Sequence, residues 1–376
     1  MTSVLEEHFG YLSDQVKIDR YKTVIERIVR PEHTVLDLGC GSGVLGLMAL
    51  KAGAQKVYFV EEGVILEAAR QTVVNAGFSD RAEFIQTNSY QLSLPERVDV
   101  ILCDHVGYFG FDYGILDLLA DAKQRFLKPD GLIIPTEFEL RLAPVESVEH
   151  RKLVGQWYDG SVGEEFSWLG SAAANTKHGV NLDSEALLAD AVPLATLRLG
   201  SSIEPFLTWA VEFECARDGI LDGIAGWFDC LLFDDVRMSN APTAADALKR
   251  PQAFLPLAKP IDVSAGEHIC VTVMIRHQDH VIGWIIELPD SGQRFAHTTF
   301  NGLLLDREAI TRAHPERVAT LNDRGEARRI VLSYCDGERT LAEVESLILR
   351  DHPNLFPSAQ ATLKFITAVL AADTSE

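Results

Sequence analysis

The chain has 376 residues, of which 47% are hydrophobic and 24% charged, and its formal net charge at pH 7 is −21. This length exceeds what one hydrophobic core usually supports, so we expect two or three domains. The excess of acid argues against a nucleic-acid partner, because binding to a phosphate backbone uses clustered Lys and Arg. The six cysteines contain no Cys-x-x-Cys pair, so we expect no metal site and no disulfide framework. Without a long apolar run or a signal-peptide pattern, we expect a cytoplasmic protein with no membrane partner.

Residues 34–46 run from an apolar strand into a glycine-dense turn that opens a helix. Residues 41–46 fit the G-x-G-x-x-G pattern, which places a pyrophosphate at a helix N-terminus. Asp37 precedes the first glycine at the strand end, where a carboxylate would repel a pyrophosphate and attract a cation. S-adenosylmethionine (SAM) carries an ammonium and a sulfonium and no phosphate, so we favour SAM over NAD. Glu61 ends the next strand about 20 residues later, in place to bind both ribose hydroxyls.

Strands and helices alternate through the first part of the chain. The predicted strands are 35–38, 57–60, 83–86, 98–103 and 131–134, and the predicted helices are 45–52, 65–75 and 116–126. Strands that lack polar alternation and are separated by helices indicate a parallel sheet buried on both faces. We therefore assign residues 1–135 to an α/β Rossmann-like SAM-binding domain.

Beyond residue 135, apolar and polar residues alternate in short runs, which is typical of half-buried antiparallel strands. The runs are 138–142, 194–199, 206–215, 226–233, 268–277 and 281–288. They predict a β-barrel substrate domain over residues 136–305. An irregular, partly helical insertion at about 150–190 interrupts it and carries Trp157, Tyr158, Phe166 and Trp168.

The last part of the chain changes character again. Thr340 and Glu343 form a capping-box pattern in front of an amphipathic helix, and a second helix follows over residues 359–370. We expect a small separate domain over residues 306–376.

The first 305 residues resemble the protein arginine methyltransferases. Residues 8–21 align without gaps on that family's N-terminal motif H-x-x-M-L-x-D-x-x-R-x-x-x-Y, with Lys17 at the position of the arginine. Further matches are residues 35–43, 52–58, Glu61, 226–229 and 239–242. The resemblance implies a Rossmann-like domain joined to a β-barrel, SAM as methyl donor with S-adenosylhomocysteine as product, and a homodimer formed through an arm at residues 155–190.

The resemblance also implies a set of cofactor-binding residues. Lys17 stands where the family holds the methionine carboxylate, Asp37 and the glycine loop would bind the methionine portion, and Glu61 the ribose. The complete predicted set is His8, Lys17, Asp37, Gly39, Cys40, Gly41, Gly43, Glu61, Glu62, Asn88, Ser89 and Asp104, with Asn88 or Ser89 at the adenine edge.

The acceptor motif departs from the family, which brackets the substrate arginine with two glutamates flanking a Trp-Met-Gly-Tyr stretch. Here the first glutamate is Asp104, the tryptophan is His105, and the second glutamate is Tyr113 with Asp112 one position away. The family's Thr-His-Trp loop falls at residues 247–249, which contain neither a histidine nor a tryptophan. A guanidinium needs planar bidentate carboxylate partners. We therefore expect an amine, imidazole, amide or carboxylate acceptor.

The candidate catalytic residues are Asp104, His105, Asp112 and Tyr113. Asp104 follows the fourth strand, at the edge where open α/β sheets bind ligands, and we expect it to deprotonate or steady the nucleophile. His105 is either a general base or a histidine that lines the site without a role. Asp112 and Tyr113 complete the set.

Residues 306–376 resemble the small PqqD-like domains that recognise peptides during ribosomal peptide modification. The matching stretches are 315–322, 327–332, 335–344 and the closing helix. The resemblance implies a winged-helix-like α+β domain that captures a leader peptide as an added strand.

We therefore predict a SAM-dependent methyltransferase with an altered acceptor site that modifies a residue of a ribosomally made peptide. Three alternatives stay open: a small-metabolite N- or O-methyltransferase with a structural tail, a non-catalytic SAM- or peptide-binding scaffold, and an NAD enzyme, which Asp37 disfavours.

Overall fold

The computed structural model describes residues 4–374. The chain divides into two compact units, the first ending at Leu304 and the second beginning at Leu305. No helix in the described part combines the length and apolar character needed to cross a membrane.

The first unit opens with helices and a sheet of five parallel strands. The elements are α1 (Val4–Ser13), α2 (Gln15–Ile28), β1 (Thr34–Leu38), α3 (Val44–Lys51), β2 (Lys56–Glu61), α4 (Leu66–Asn75), β3 (Ala82–Gln86), β4 (Val98–Leu102), α5 (Ile115–Phe126) and β5 (Leu127–Ile134). The strand order is β3-β2-β1-β4-β5, and all neighbours pair in parallel. Every residue of β1 is buried, so the predicted parallel sheet with two covered faces is confirmed.

Helix α2 is fixed across the carboxyl end of β4. The Tyr21 hydroxyl donates a 3.0 Å hydrogen bond to the carbonyl of Cys103, directly after that strand. Asp14 caps the helix by accepting from the Lys17 amide at 3.3 Å, and its other oxygen accepts from the Lys249 amide at 3.1 Å. Asp14 thereby joins the N-terminal motif, the sheet edge and a loop of the following barrel.

Two antiparallel sheets form the rest of the first unit. The elements are β6 (Glu137–Val145), α6 (Val148–Gly155), α7 (Leu169–Ala174), β7 (His178–Val180), β8 (Val192–Arg198), β9 (Phe206–Glu214), β10 (Gly219–Phe233), β11 (Val236–Ser239), β12 (Gln252–Val263), β13 (His268–Arg276), β14 (Val281–Leu288) and β15 (Gln293–Thr298). One sheet has the order β7-β12-β10-β6-β8 with β11 on β10, and the other is β15-β14-β13-β9. One hydrophobic core extends from the parallel sheet into both of these sheets.

Strand β12 was not predicted, and its sequence shows why. Pro256 and Pro260 interrupt the alternation, and proline within a run argues against a central strand. The structure accommodates Pro256 opposite Gly223, where the register between β10 and β12 shifts. A bulge at this position lets the strand continue through a residue that lacks an amide donor.

The predicted insertion is partly helical and carries aromatic side chains on its surface. It contains α6 and α7, and Tyr158, Phe166 and Trp168 are each at least half exposed, at 56%, 50% and 60%.

The second unit differs from the α+β domain expected for residues 306–376. Its described part contains only helices: α8 (Arg307–Arg312), α9 (Asp323–Ser333), α10 (Leu341–Asp351) and α11 (Ala359–Asp373). The last three bury one small core, and the predicted capping box at Thr340 and Glu343 is present. No strand is formed within residues 305–374, so the sheet that the resemblance implies is not present in the described part of this unit.

Candidate functional site

Two adjoining cavities lie at the carboxyl edge of the parallel sheet. We call them the Glu62 cavity, of about 450 Å³, and the Lys17 cavity, of about 410 Å³. Both are lined by Gly39, Glu61, His105 and Tyr113, which stand where the two meet. This edge is where open α/β sheets bind their ligands.

The glycine loop after β1 forms one wall of the Lys17 cavity. Gly41 has a φ of +51°, and a Cβ on it would lie 2.6 Å from Cε1 of His8. Only glycine fits this backbone shape and this close approach. The predicted residues His8, Cys40 and Gly41 therefore meet in one wall of the cavity, while Gly43, with a φ of +78°, caps α3 behind it.

Asp37 is buried beneath the glycine loop. Its Oδ2 accepts a 2.7 Å hydrogen bond from the amide of Gly46 in α3. Burial raises the pKa of Asp37 from 3.8 to about 7, since the charged carboxylate loses hydration there. A cationic ligand in the Lys17 cavity would stabilise the charged form.

Glu61 is held in place at the end of β2 by two backbone amides. Oε2 accepts from Gly41 at 3.1 Å, and Oε1 accepts from Gly63 at 2.8 Å. Each carboxylate oxygen retains capacity for a second donor. Glu61 can therefore accept hydrogen bonds from a ligand that spans both cavities.

The predicted adenine-edge residues line the Glu62 cavity. The Asn88 side-chain amide donates to Oε2 of Glu62 at 2.8 Å, and Asn88 Oδ1 accepts from the Tyr90 amide at 3.0 Å. Ser89 lies beside them, and its carbonyl accepts from Arg125 at 2.7 Å. Sequence analysis missed Gln278 and His280, which reach this cavity from the turn after β13.

In the Lys17 cavity, Asp104 forms ion pairs with two cations. Lys17, with a side chain only 2% exposed, pairs with Oδ2 of Asp104. Nη2 of Arg250 lies 3.4 Å from Oδ1 of Asp104. Sequence analysis missed Arg250, although it directly follows the stretch 247–249 that replaces the Thr-His-Trp loop. Both oxygens of Asp104 are thus paired with cations, and its expected role in deprotonating or steadying the nucleophile stays a prediction.

His105 and Tyr113 stand at the junction of the cavities, with ring centroids 5.6 Å apart. The His105 ring is accessible to the cavities but surrounded by protein atoms, and this partial desolvation lowers its pKa. At neutral pH the ring is therefore uncharged and able to accept a proton.

Asp112 does not belong to this group. It lines neither cavity: its carboxylate accepts from the Phe109 amide and pairs with Lys177. Burial lowers the pKa of Lys177 to about 8. Asp112, a member of the candidate catalytic set, thus lies apart from the other three, because the loop turns its side chain inward.

The loop that carries these residues is tied to the barrel by Asn240. Its side-chain amide donates to the carbonyls of Tyr108 at 2.8 Å and Pro251 at 2.7 Å, while its oxygen accepts from the Phe228 amide at 3.0 Å. Asn240 is fully buried, so these bonds hold the segments of Asp104 and Arg250 together.

Two family models match parts of the chain: Ribosomal protein L11 methyltransferase (PrmA) over residues 23–136, and the PRMT5 oligomerisation domain over residues 203–301. The Arginine N(omega)-methyltransferase of Streptomyces achromogenes subsp. streptozoticus is 31% identical over 272 residues, covering 70% of this chain and 74% of the relative. Protein arginine N-methyltransferase 1 of Schizosaccharomyces pombe is 28% identical over 279 residues, covering 71% and 82%.

Solved structures show the same fold. A Trypanosoma brucei PRMT1 enzyme–prozyme heterotetrameric complex with AdoHcy has a TM-score of 0.69 at 19% identity, covering 77% of this chain and 96% of that one. Arabidopsis thaliana protein arginine methyltransferase 10 has a TM-score of 0.68 at 21% identity, covering 79% and 97%.

The raised pKa of Asp37 predicts a specific pH dependence of stability. Between about pH 4 and 7 the unfolded carboxyl ionises while the native one stays protonated, so the stability of the first unit falls as pH rises. Above pH 7 the loss in free energy of unfolding reaches a plateau on the order of 4 kcal/mol, which corresponds to a rise of about three pKa units. Asp37→Asn should remove this fall.

The measurement is urea unfolding followed by tryptophan fluorescence from pH 4 to 8, since all five tryptophans precede residue 305. The variant should gain stability relative to the unaltered chain as pH rises. Parallel pH profiles for the two proteins would contradict the assignment.

Proposed function

We propose that this chain, which belongs to the protein arginine methyltransferase family, methylates a residue of a peptide through an acceptor site that no longer suits arginine. Its family membership makes it a SAM-dependent methyltransferase. The observation that carries the proposal is the contrast between an intact donor site and an Asp104 that already pairs with Lys17 and Arg250.

The residues of the two cavities fit SAM. The Glu62 cavity offers Glu62, Asn88 and Ser89 to an adenine, and Glu61 stands between the cavities for a ribose. When bound, SAM supplies an electrophilic methyl group and leaves as S-adenosylhomocysteine. Asp37 and the glycine loop would hold the cationic methionine portion, and Lys17 its carboxylate.

The contribution of the protein to catalysis is then mainly alignment of donor and acceptor, worth roughly 7–11 kcal/mol when well oriented. The buried hydrogen bonds of Asn240 and Tyr21 fix the acceptor loop against the donor site. Uncharged His105 at the junction is the candidate to take a proton from an acceptor that carries one.

We further propose that residues 306–376 recognise the peptide substrate. The resemblance to PqqD-like domains supports this, as does the exposed stretch 317–322, where Val318 and Leu321 are 84% and 55% exposed. This stretch belongs to no helix or strand, and residues 318–321 within it make no backbone–backbone hydrogen bond, so their backbone groups are open to pairing with an added peptide strand.

We also propose a homodimer formed through the arm at residues 155–190. The exposed aromatic side chains Tyr158, Phe166 and Trp168 support it, since such groups usually bury themselves on a partner. The match of residues 203–301 to an oligomerisation domain is in keeping with an assembly.

The donor site predicts ligand preference. S-adenosylhomocysteine should bind in calorimetry and NAD should not. Glu61→Ala should weaken S-adenosylhomocysteine binding by about 1.5–3 kcal/mol, the range of charge-assisted hydrogen bonds. Glu67→Ala, which alters an exposed glutamate of α4, is the control and should bind normally. Tight NAD binding would contradict the assignment.

The tail predicts an effect on KM. Tethering the peptide raises its local concentration at the site to about millimolar. Ending the chain at Leu304 should therefore raise KM for the full-length peptide and leave kcat nearly unchanged, whereas a short acceptor fragment without leader reacts equally with both proteins.

A paired substitution repeats this test in the complete chain. Val318→Asp with Leu321→Asp should raise KM for the full-length peptide, and Ile310→Asp, on the exposed surface of α8, should not. An unchanged KM in every case would favour the small-metabolite methyltransferase.

The arm predicts a dimer mass. Light scattering at micromolar concentration should give twice the chain mass of 41.5 kDa, and Phe166→Ser with Trp168→Ser should lower it toward the monomer. A monomer mass for the unaltered chain would reject the dimer.

A further inference from the structure

The guanidinium of Arg250 lies beside Asp104, the residue that the resemblance aligns with the first of the family's two acceptor glutamates. Arg250 is a lining residue of the Lys17 cavity, and its side chain is 12% exposed. Within residues 4–374 the guanidinium makes one hydrogen bond, the 3.4 Å contact from Nη2 to Asp104. A guanidinium has five N–H donors, so Arg250 retains donors for a ligand.

Two cations, Lys17 and Arg250, face the single carboxylate of Asp104. The Tyr11 ring lies beside both, 5.0 Å from Lys17 Nζ and 6.0 Å from the Arg250 guanidinium carbon, where its π face stabilises cations.

The remaining carboxylates of the Lys17 cavity each accept a hydrogen bond from a group other than Arg250. Asp37 and Glu61 accept backbone amides, and Glu7 accepts the Tyr11 hydroxyl at 2.9 Å. A cationic acceptor beside Asp104 would meet like charge, whereas an anionic acceptor would meet unused guanidinium donors.

We propose that the acceptor is a carboxylate, held by Arg250 and methylated on oxygen. This inference rests on the proposed methyltransferase function and names the acceptor chemistry of the same site. An Asp or Glu side chain and a C-terminal carboxylate share this chemistry.

The reaction balances without a base. A carboxylate oxygen forms the new bond to the methyl carbon while the carbon–sulfur bond breaks, and that bonding pair stays on sulfur. The negative charge of the carboxylate and the positive charge of the sulfonium both disappear, and no proton moves. Because a carboxyl group ionises near pH 4, the nucleophile is already charged at neutral pH. The reaction therefore requires no deprotonation by Asp104.

The test compares three short synthetic peptides at millimolar concentration, each incubated with the full chain and SAM carrying a radioactive methyl group. The first has Asp and Glu side chains and an amidated C-terminus. The second has a free C-terminal carboxylate and no acidic side chain. The third has Lys, His, Arg and Asn, no acid, and an amidated C-terminus.

The readout is methyl incorporation and its release as methanol in alkali, because methyl esters hydrolyse there and N-methyl groups do not. We expect alkali-labile label in the first or second peptide, which separates side-chain from terminal carboxylates, and none in the third. Alkali-stable label in the third peptide, or no label in either acidic peptide, would overturn the proposal.

Binding of S-adenosylhomocysteine separates this inference from the function on which it rests. Normal binding without ester formation overturns only the carboxylate acceptor. No binding of S-adenosylhomocysteine by calorimetry overturns the methyltransferase function itself.

Variants of Arg250 test its role directly. Arg250→Gln should raise KM for the acidic peptide about tenfold or more, with S-adenosylhomocysteine affinity changed less than twofold. Arg250→Lys should recover part of the loss, and Lys249→Gln, which removes the neighbouring exposed cation, should leave KM unchanged. A purely structural Arg250 would instead lower thermal stability and S-adenosylhomocysteine affinity without selective loss of the acidic peptide, and that result would also overturn the proposal.

Discussion

Asp104, at the end of β4, pairs with Lys17 from helix α2 and with Arg250 from the loop that leads into β12. The Lys17 side chain is almost wholly buried, and a buried cation that loses its partner costs about 3–5 kcal/mol. The ion pairs of Asp104 therefore stabilise the contact of helix α2 and of the loop before β12 with the end of β4. The hydrogen bonds of Asp14, Tyr21 and Asn240 surround the same junction and fix its geometry.

The donor half and the acceptor half of the site differ in how closely their residues match the arginine methyltransferase motifs. Around Glu61 and the glycine loop, backbone amides and positive-φ glycines preserve a surface for a cationic nucleoside ligand. Around Asp104, the pair of glutamates that would bind a guanidinium is replaced by a single carboxylate, which already forms ion pairs with Lys17 and Arg250. In the proposed function the adenine and ribose contacts of the donor lie apart from Asp104 and Arg250, so the second half can change without loss of the first. The proposed change of acceptor within an arginine methyltransferase family requires this separation.

The sequence predicts the parallel sheet well, because buried strands and glycine turns are local patterns. Most of the residues predicted to bind the donor line the two adjoining cavities. The sequence predicts the rest less well where the outcome depends on residues distant in the chain. Strand β12 was not predicted because its prolines interrupt the alternating pattern. The shift of register at Gly223 lets β12 pair with β10 in spite of them. Asp112 precedes Tyr113, which the resemblance aligns with the family's second glutamate. In this tight loop a difference of one residue is enough to direct the Asp112 side chain toward Lys177. Arg250 reaches Asp104 from 146 positions away, and no periodicity signals that contact. The strands expected in the tail are not formed within residues 305–374, which contain only helices and loops.

A crystal structure of the chain with S-adenosylhomocysteine and excess free arginine shows whether the pairing of Arg250 with Asp104 excludes arginine from the site. We expect S-adenosylhomocysteine across both cavities, with Glu61 against the ribose hydroxyls, Arg250 still paired with Asp104, and no arginine bound beside them. A ligand guanidinium on Asp104, with Arg250 displaced from the Lys17 cavity, would contradict this expectation.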